Sequence, residues 1–162
     1  RKEKAPVVVV IHEIFGLTDW IRGVADQLAA EGFIAVAPDL LSGKGAGGGG
    51  SETFPNRDDA RTAVSALPRD EVVTRLDAVR AWALKLPAAN GKSTSIGFCW
   101  GGGQSFAWAL REIVLDGAVV YYMPSPDPIS GSPCAPTARL RSMAAAQWSN
   151  NDAVAAERSG WK

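Results

Sequence analysis

The chain has 162 residues, of which 46% are hydrophobic, enough for one domain with a substantial core but short for two. Its 17 Lys and Arg residues balance 17 Asp and Glu residues, so the charge favours neither a nucleic acid nor an anionic membrane surface as a partner. No apolar run approaches the roughly 20 residues of a membrane-spanning helix. Because the chain has one histidine and no CxxC pair, a structural zinc site is not expected, and no cofactor is predicted.

Buried strands and an amphipathic helix alternate along the first part of the chain. The branched run VVVVI at 7–11 predicts a strand buried on both faces, and FIAVA at 33–37 predicts a second one. Between them, apolar residues recur at helical spacing from Ile21 to Ala29 and predict a helix. A glycine-rich stretch at 42–55 follows and is expected to form a flexible surface loop.

The alternation continues along the next part of the chain. A short helix is predicted from an N-cap at Asn56 to about Leu67, and residues 69–86 carry one apolar stripe typical of a longer helix. After a turn at ANGK, the segments 94–98 and 117–122 predict two further strands. The helix between these two strands is expected to begin near Gly101.

Strands that alternate with helices predict an α/β fold, with a parallel sheet covered by helices on both faces. Right-handed crossovers place the four strands in the spatial order second, first, third, fourth. Residues 125–162 contain one Val and one Ile but no Phe or Tyr, so no fifth strand is predicted there. This region is interpreted as an atypical tail of a single domain, 1–162, which is either a loosely packed extension or a region that does not belong to the fold. The fourth strand would then be an edge, and an unpaired apolar edge invites self-association.

Two glycine-containing stretches resemble phosphate-binding motifs but lack the structural context. GKGAGG at 43–48 fits the letters of a dinucleotide-binding motif, yet it neither leaves a strand nor opens a helix. NGKST at 90–94 ends like a phosphate-binding loop, but its lysine precedes a strand, whereas such a loop follows one. Nucleotide binding is therefore not predicted.

The stretch GFCWG at 97–101 places a cysteine between two glycines, directly after an apolar strand. It fits the motif glycine-x-nucleophile-x-glycine, in which the nucleophile stands on a sharp strand-to-helix turn at the carboxyl edge of a sheet. Gly97 and Gly101 must be small because larger side chains would clash with the neighbouring strand and helix. The N-terminus of the following helix favours the thiolate form of Cys99. The alternative, a buried core cysteine, does not explain why strand, motif and helix coincide.

A nucleophile of this kind needs two backbone donors for the oxyanion that develops during acyl transfer. The N–H of Trp100 is one candidate, and the N–H of Ile14, in the loop after the first strand, is the other. Glu13 lies at the same strand end, where a carboxylate can hold a thiol or control when it ionises. His12 is interpreted as a hydrogen-bonded structural residue in preference to a catalytic one.

Three segments together resemble the dienelactone hydrolases (carboxymethylenebutenolidases), a branch of the α/β-hydrolase superfamily. They contain HEIFG (12–16), DEVVTRLDAVRAWALKLPAANGK (70–92) and IGFCWGGGQSF (96–106). The resemblance covers about residues 6–126 and implies an α/β-hydrolase fold, a Cys-His-Asp triad and a small enol-lactone or ester substrate. It does not place the family's substrate-binding arginines residue by residue, although Arg57 and Arg61 lie near the expected region.

The resemblance also implies roles for individual residues. It implies Cys99 as the nucleophile, Glu13 as the acid that interacts with the resting cysteine, and Ile14 and Trp100 as the oxyanion donors. In the tail, only NDA at 151–153 is similar to the family, which makes Asp152 the candidate triad aspartate.

The C-terminal side departs from the family pattern. In this fold the triad acid and histidine follow the nucleophile along the chain, but no histidine follows Cys99 and the branched last strands are absent. A truncated or frame-shifted copy of a dienelactone hydrolase would have this pattern, so the α/β-hydrolase-like fold is expected to be incomplete at its C-terminal side. Such a chain is expected to be inactive or impaired as a hydrolase.

Two other functions are kept beside the hydrolase. A non-catalytic α/β module would retain the pocket and bind a small carboxylate, and a thiol-redox or acyl-carrier protein would use Cys99 without a triad. Only the hydrolase explains the cysteine motif and HEIFG together. The lack of a visible signal-peptide segment slightly favours the cytoplasm, and a periplasmic or secreted location is the alternative if a signal precedes Arg1.

Overall fold

The structure is a computed structural model that describes residues 3–111 and 115–122, together with the backbone of residues 143–146. These residues form strands and helices in the order β1 (Ala5–Ile11), α1 (Asp19–Ala30), β2 (Ile34–Val36), α2 (Arg57–Ser65), α3 (Arg69–Leu84), β3 (Ala89–Phe98), α4 (Trp100–Ala109), β4 (Gly117–Tyr121) and β5 (Met143–Ala146). Among them, no helix is both long and apolar enough to cross a bilayer.

The described strands form one sheet in the order β2-β1-β3-β4-β5, and all of its pairings are parallel. The predicted order of the first four strands is therefore confirmed. The long branched strand β1 lies inside the sheet between β2 and β3, and each of its residues from Val7 to Ile11 is at most 4% exposed. Because the strands are parallel, their carboxyl ends meet at one edge of the sheet.

Helices cover both faces of the sheet, as the alternating pattern predicts. On one face, Val8 and Val10 of β1 pack with Ile21 of α1. On the other face, Val7, Val9 and Ile11 belong to the main core cluster, which also takes in α3 and α4. Successive side chains of β1 therefore point to opposite faces of the sheet, and both faces are covered by helices. For this reason every position of the strand is apolar.

The prediction that β4 is an edge strand is wrong. Residues Met143–Ala146 form β5, which pairs with β4 from Ala118 to Tyr121. The segment MAAA has no branched or aromatic residue and carries no strand signal, whereas the open backbone of β4 offers a row of hydrogen-bonding groups to an extended segment. Self-association through a sheet edge stays a prediction, but it no longer concerns β4. Apart from β5, the predicted tail at 125–162 lies outside the described residues.

One loop prediction needs correction, and a second loop has more local structure than its sequence indicates. β3 begins at Ala89, where a turn was expected, because Ala89 pairs with Ala5 at the start of β1. The glycine-rich stretch contains short 3-10 turns at Ala46–Gly48 and Ser51–Thr53. Hydrogen bonds within its own backbone hold this stretch together, since the N–H groups of Gly43 and Gly45 both donate to the carbonyl of Gly49 at 3.0 Å.

Candidate active site

Cys99 stands at the corner between β3 and α4, at the carboxyl edge of the sheet. Its backbone has φ 54° and ψ −119°, a conformation that residues other than glycine rarely adopt and that costs on the order of 1–3 kcal/mol. It occupies the N-cap position of α4, and its N–H donates to the carbonyl of Tyr121 on β4 at 3.1 Å. The side chain is partly exposed. The predicted strand-to-helix turn is therefore present.

The glycines around Cys99 are required by close backbone contacts. A Cβ atom on Gly97 would overlap the backbone of Gly101, and a Cβ on Gly101 would overlap the carbonyl oxygens of Ile11 and His12. These clashes are the ones that the sequence motif predicts, because α4 must start directly against the ends of β1 and β3. Gly102 is also confined, since its Cβ would lie 2.8 Å from the carbonyl oxygen of Tyr121.

His12 is fully buried, and both of its ring nitrogens are hydrogen-bonded. Nε2 accepts from the N–H of Leu40 at 3.2 Å, so the ring proton lies on Nδ1, which donates to the carbonyl of Glu13 at 2.7 Å. Burial lowers the pKa of His12, and the neighbouring carbonyl of Glu13 and the charge of Asp39 oppose this shift only in part. The ring also stacks on Trp100, with centroids 5.6 Å apart. These contacts give His12 the structural role that the sequence favoured.

The Glu13 carboxylate binds a residue that no sequence motif indicates. The hydroxyl of Tyr122 donates to Glu13 Oε1 at 2.6 Å, although 109 positions separate the two residues. Tyr122 directly follows β4 and has φ 36°, which is unusual for a residue other than glycine. Partial burial, then Glu13 and finally the charge of Cys99 raise the pKa of Tyr122, which keeps its hydroxyl protonated. A polar aromatic residue directly after a buried strand was the available signal for this position.

Ile14 and Trp100, the predicted oxyanion donors, lie in the loop after β1 and at the first position of α4. Their side chains pack against one apolar cluster, formed by Leu41 and two residues of α2. The N–H of Trp100 belongs to the first turn of α4, where helices have no internal acceptor. Within the described part of the chain, neither of these two N–H groups forms a hydrogen bond. Both N–H groups are therefore free to donate to a ligand.

Asp39, which no sequence motif indicates either, connects the loops at this edge of the sheet. Its carboxylate accepts hydrogen bonds from the Ser51 N–H and hydroxyl, both at 2.6 Å, and from the Leu41 N–H at 2.9 Å. The Ser51 hydroxyl in turn accepts from the N–H of Leu17 at 2.9 Å. The loops after β1 and β2 are therefore joined through one carboxylate and one hydroxyl.

The structure places the two remaining candidate arginines in different surroundings. The guanidinium of Arg57 lies over the ring of Phe15, 4.9 Å from its centroid, whereas Arg61 pairs with Asp58 on α2 at 3.5 Å. Asp152 lies outside the described residues. In the described ranges, no group of His, Cys, Asp and Glu side chains is arranged to hold a metal ion.

Comparisons of the sequence with known proteins all indicate the same family. A profile of the dienelactone hydrolase family matches residues 1–153. A carboxymethylenebutenolidase from Pseudomonas putida is 34% identical over 122 residues, which cover 75% of this chain and 51% of that protein. An Escherichia coli protein named for the carboxymethylenebutenolidases is 35% identical over 122 residues, or 72% of this chain and 42% of that protein.

A solved structure has the same architecture. A Klebsiella pneumoniae protein named for the dienelactone hydrolases superposes with a TM-score of 0.67 at 29% identity, over 78% of this chain and 52% of that one. The chain therefore spans about half the length of the relatives that it matches.

Proposed function

Because the chain belongs to the dienelactone hydrolase family, we propose that it carries the nucleophilic half of a lactone- or ester-hydrolysing site, with Cys99 as the nucleophile. The observation that supports this most is the positive φ of Cys99 on a corner that glycines allow to form. Proteins keep such strain where the surrounding structure holds it in place, and it clusters at active sites. The substrate class proposed is a small ester or enol-lactone, following the names of the relatives.

The proposed chemistry begins with attack of the Cys99 thiolate on the carbonyl carbon of the substrate. A carbon–sulfur bond forms, and the carbonyl oxygen becomes an oxyanion that the N–H groups of Ile14 and Trp100 stabilise. Collapse of this intermediate breaks the carbon–oxygen bond to the alcohol or enol. The leaving oxygen takes up a proton from solvent water, and the acyl group stays on Cys99 as a thioester.

Glu13 is proposed to control the resting thiol, since its carboxylate follows β1 next to the cysteine corner. A negative charge close to a thiol disfavours the thiolate, so Glu13 would limit unwanted reactions until a substrate binds. Asp152 is proposed as the triad aspartate on the strength of its NDA setting alone. Its catalytic role would require a histidine to orient.

Release of the acyl group is the step that the 162-residue chain is expected to lack. Hydrolysis of the thioester needs a base within roughly 3 Å of the attacking water, or one water away. His12 is the only histidine, and both of its ring nitrogens are already used inside the protein. Loss of one triad member costs on the order of 10⁴ in rate in triad enzymes.

Reaction with p-nitrophenyl acetate tests the proposal. We expect one burst of p-nitrophenol, equal to one per chain, followed by turnover close to that of the blank, and an acetyl group located on Cys99 by peptide mass spectrometry. Cys99→Ala should abolish the burst, whereas Cys134→Ser should retain it.

Two outcomes would contradict this scheme. No acetylation of Cys99 would favour the alternative of a non-catalytic module that binds a small carboxylate, which equilibrium dialysis with a small carboxylic acid would then test. Sustained turnover that His12→Ala abolishes would mean that the histidine is catalytic.

A further inference from the structure

The hydrogen bond between Glu13 and Tyr122 crosses the end of the strand that carries Cys99. Glu13 follows β1 and Tyr122 follows β4, and β3 lies between these two strands in the sheet. Neighbouring strands are about 4.8 Å apart, so the two backbones are separated by roughly 10 Å. The two side chains span this distance, and the Tyr122 hydroxyl lies 2.6 Å from Glu13 Oε1. Cys99, the first residue after β3, therefore lies between the two partners.

Several contacts hold Tyr122 in the position that this bond requires. The preceding residue, Tyr121, accepts the Cys99 N–H through its carbonyl and stacks on Phe98 with ring centroids 4.8 Å apart. The ring of Tyr122 itself lies 6.3 Å from the ring of Phe98. Its φ of 36° turns the chain at the end of β4, and such a conformation persists only where its surroundings fix it.

We propose that Tyr122 is a positioning residue that holds the Glu13 carboxylate across the end of β3 and draws its negative charge away from Cys99. This inference rests on the proposed role of Cys99 as the nucleophile. A hydroxyl that donates to a carboxylate shares its charge and fixes its orientation. Without the hydroxyl, Glu13 is free to turn towards the thiol and its full charge opposes formation of the thiolate.

The charge arrangement predicts effects of opposite sign for the two partners of one hydrogen bond. Tyr122→Phe leaves the carboxylate unrestrained, so the thiolate of Cys99 becomes less abundant. Glu13→Gln removes the charge, so the thiolate becomes more abundant. The double variant has neither the Glu13 charge nor the Tyr122 hydroxyl, so it should behave like Glu13→Gln alone. A general loosening of the loops would instead make Cys99 more reactive in every variant.

Alkylation of Cys99 by iodoacetamide measures these effects. All variants carry Cys134→Ser, which leaves Cys99 as the only thiol, and rates are taken from pH 6 to pH 9. At neutral pH we expect Tyr122→Phe to slow alkylation about threefold and Glu13→Gln to accelerate it about threefold, a change of about 0.7 kcal/mol between the two protonation states of the thiol. We expect no further change when Tyr122→Phe is added to Glu13→Gln.

The result that overturns the inference is alkylation of Tyr122→Phe at the parent rate or faster, or an effect of Tyr122→Phe that persists in the Glu13→Gln background. Acetylation of Cys99 by p-nitrophenyl acetate, measured in the same proteins, separates this failure from that of the proposed function. If Cys99 is acetylated in the parent and alkylation does not respond to Tyr122, the inference alone fails. If the parent is not acetylated, the proposed nucleophile fails whatever the alkylation rates are.

Discussion

At the scale of single residues, the hydrogen bonds of His12 set its protonation state. The N–H of Leu40 can only donate, so His12 Nε2 must carry a lone pair in the folded protein. A second proton on the ring would oppose this bond and place a charge in a buried position, which is why burial lowers the pKa of His12. The same residue supports Trp100 by stacking, so its neutral form helps to shape the cysteine corner.

The lowered pKa of His12 predicts a stability that falls in mild acid. The unfolded chain takes up a proton near the ordinary value of 6.5, whereas the folded chain resists it, so the stabilising contribution is complete above pH 6.5 and is lost as the pH falls below it. Urea midpoints at pH 7.5 and pH 5.5 should therefore differ more in the parent than in His12→Gln, whose side chain does not titrate. Equal differences in both proteins would contradict this prediction.

At the scale of elements, the junction of β3 and α4 depends on backbones that touch. Gly101, in the first turn of α4, lies against the carbonyl oxygens of Ile11 and His12, so this helix glycine has no room for a side chain. Gly23 of α1 is different, because a Cβ there would have nothing within 4 Å. The two glycines share a helical setting and differ in what surrounds them, which makes them a matched pair.

Alanine at these two positions should change stability in opposite directions. Gly101→Ala is expected to destabilise the chain by about 2 kcal/mol or more, because rigid backbone must move. It should also lower the preference of an alkylating reagent for Cys99 over Cys134. Gly23→Ala is expected to stabilise the chain by about 0.5–1 kcal/mol through helix propensity alone. Urea unfolding followed by circular dichroism measures both changes. A stabilising Gly101→Ala would show that the start of α4 is not packed as described.

At the scale of the whole molecule, a hydrogen bond joins α3 and α4 within the apolar layer on one face of the sheet. The indole N–H of Trp108 donates to Asp77 Oδ1 at 2.7 Å, and Trp108 is fully buried in the main core cluster. Ser95 of β3 and Ser105 of α4 add a second buried hydrogen bond at 2.8 Å, which ties α4 to the strand before the cysteine. The helix that presents Cys99 is thus fixed from two sides.

Removing the carboxylate should therefore weaken the whole domain and not only one helix. Asp77→Ala leaves the buried indole N–H of Trp108 without an acceptor, which we expect to cost about 1–3 kcal/mol of unfolding free energy. Asp77→Asn keeps a carbonyl acceptor and should cost less. Urea midpoints of the three proteins test this order, and equal losses in the two variants would mean that the hydrogen bond itself contributes little.

Much of the fold follows from local patterns in the sequence. The branched run of β1 and the apolar stripes of α1 and α3 predict their own burial, whereas β2, expected to be buried, is only half-buried because it is the outer strand of the described sheet. The handedness of parallel crossovers then determines the strand order. The N-cap of α2 is also local, since Asn56 Oδ1 accepts from the Asp59 N–H at 2.9 Å. At the site, the spacing of glycines around Cys99 predicts the sharp corner because the clash that excludes a side chain is set by adjacent residues.

Other features depend on residues that meet only after folding. The hydroxyl of Tyr122 reaches Glu13, Asp39 binds Ser51, and the alanine-rich β5 pairs with β4, and none of these partners is indicated by periodicity or motif. Hydrogen bonds between distant side chains depend on the three-dimensional path of the chain, and strand pairing at an open edge needs backbone groups and not a particular side chain. The sequence by itself therefore determined the layers, the strand order and the cysteine corner. Only the tertiary structure decided which groups surround that corner, because their distances are set by the packing of the whole sheet.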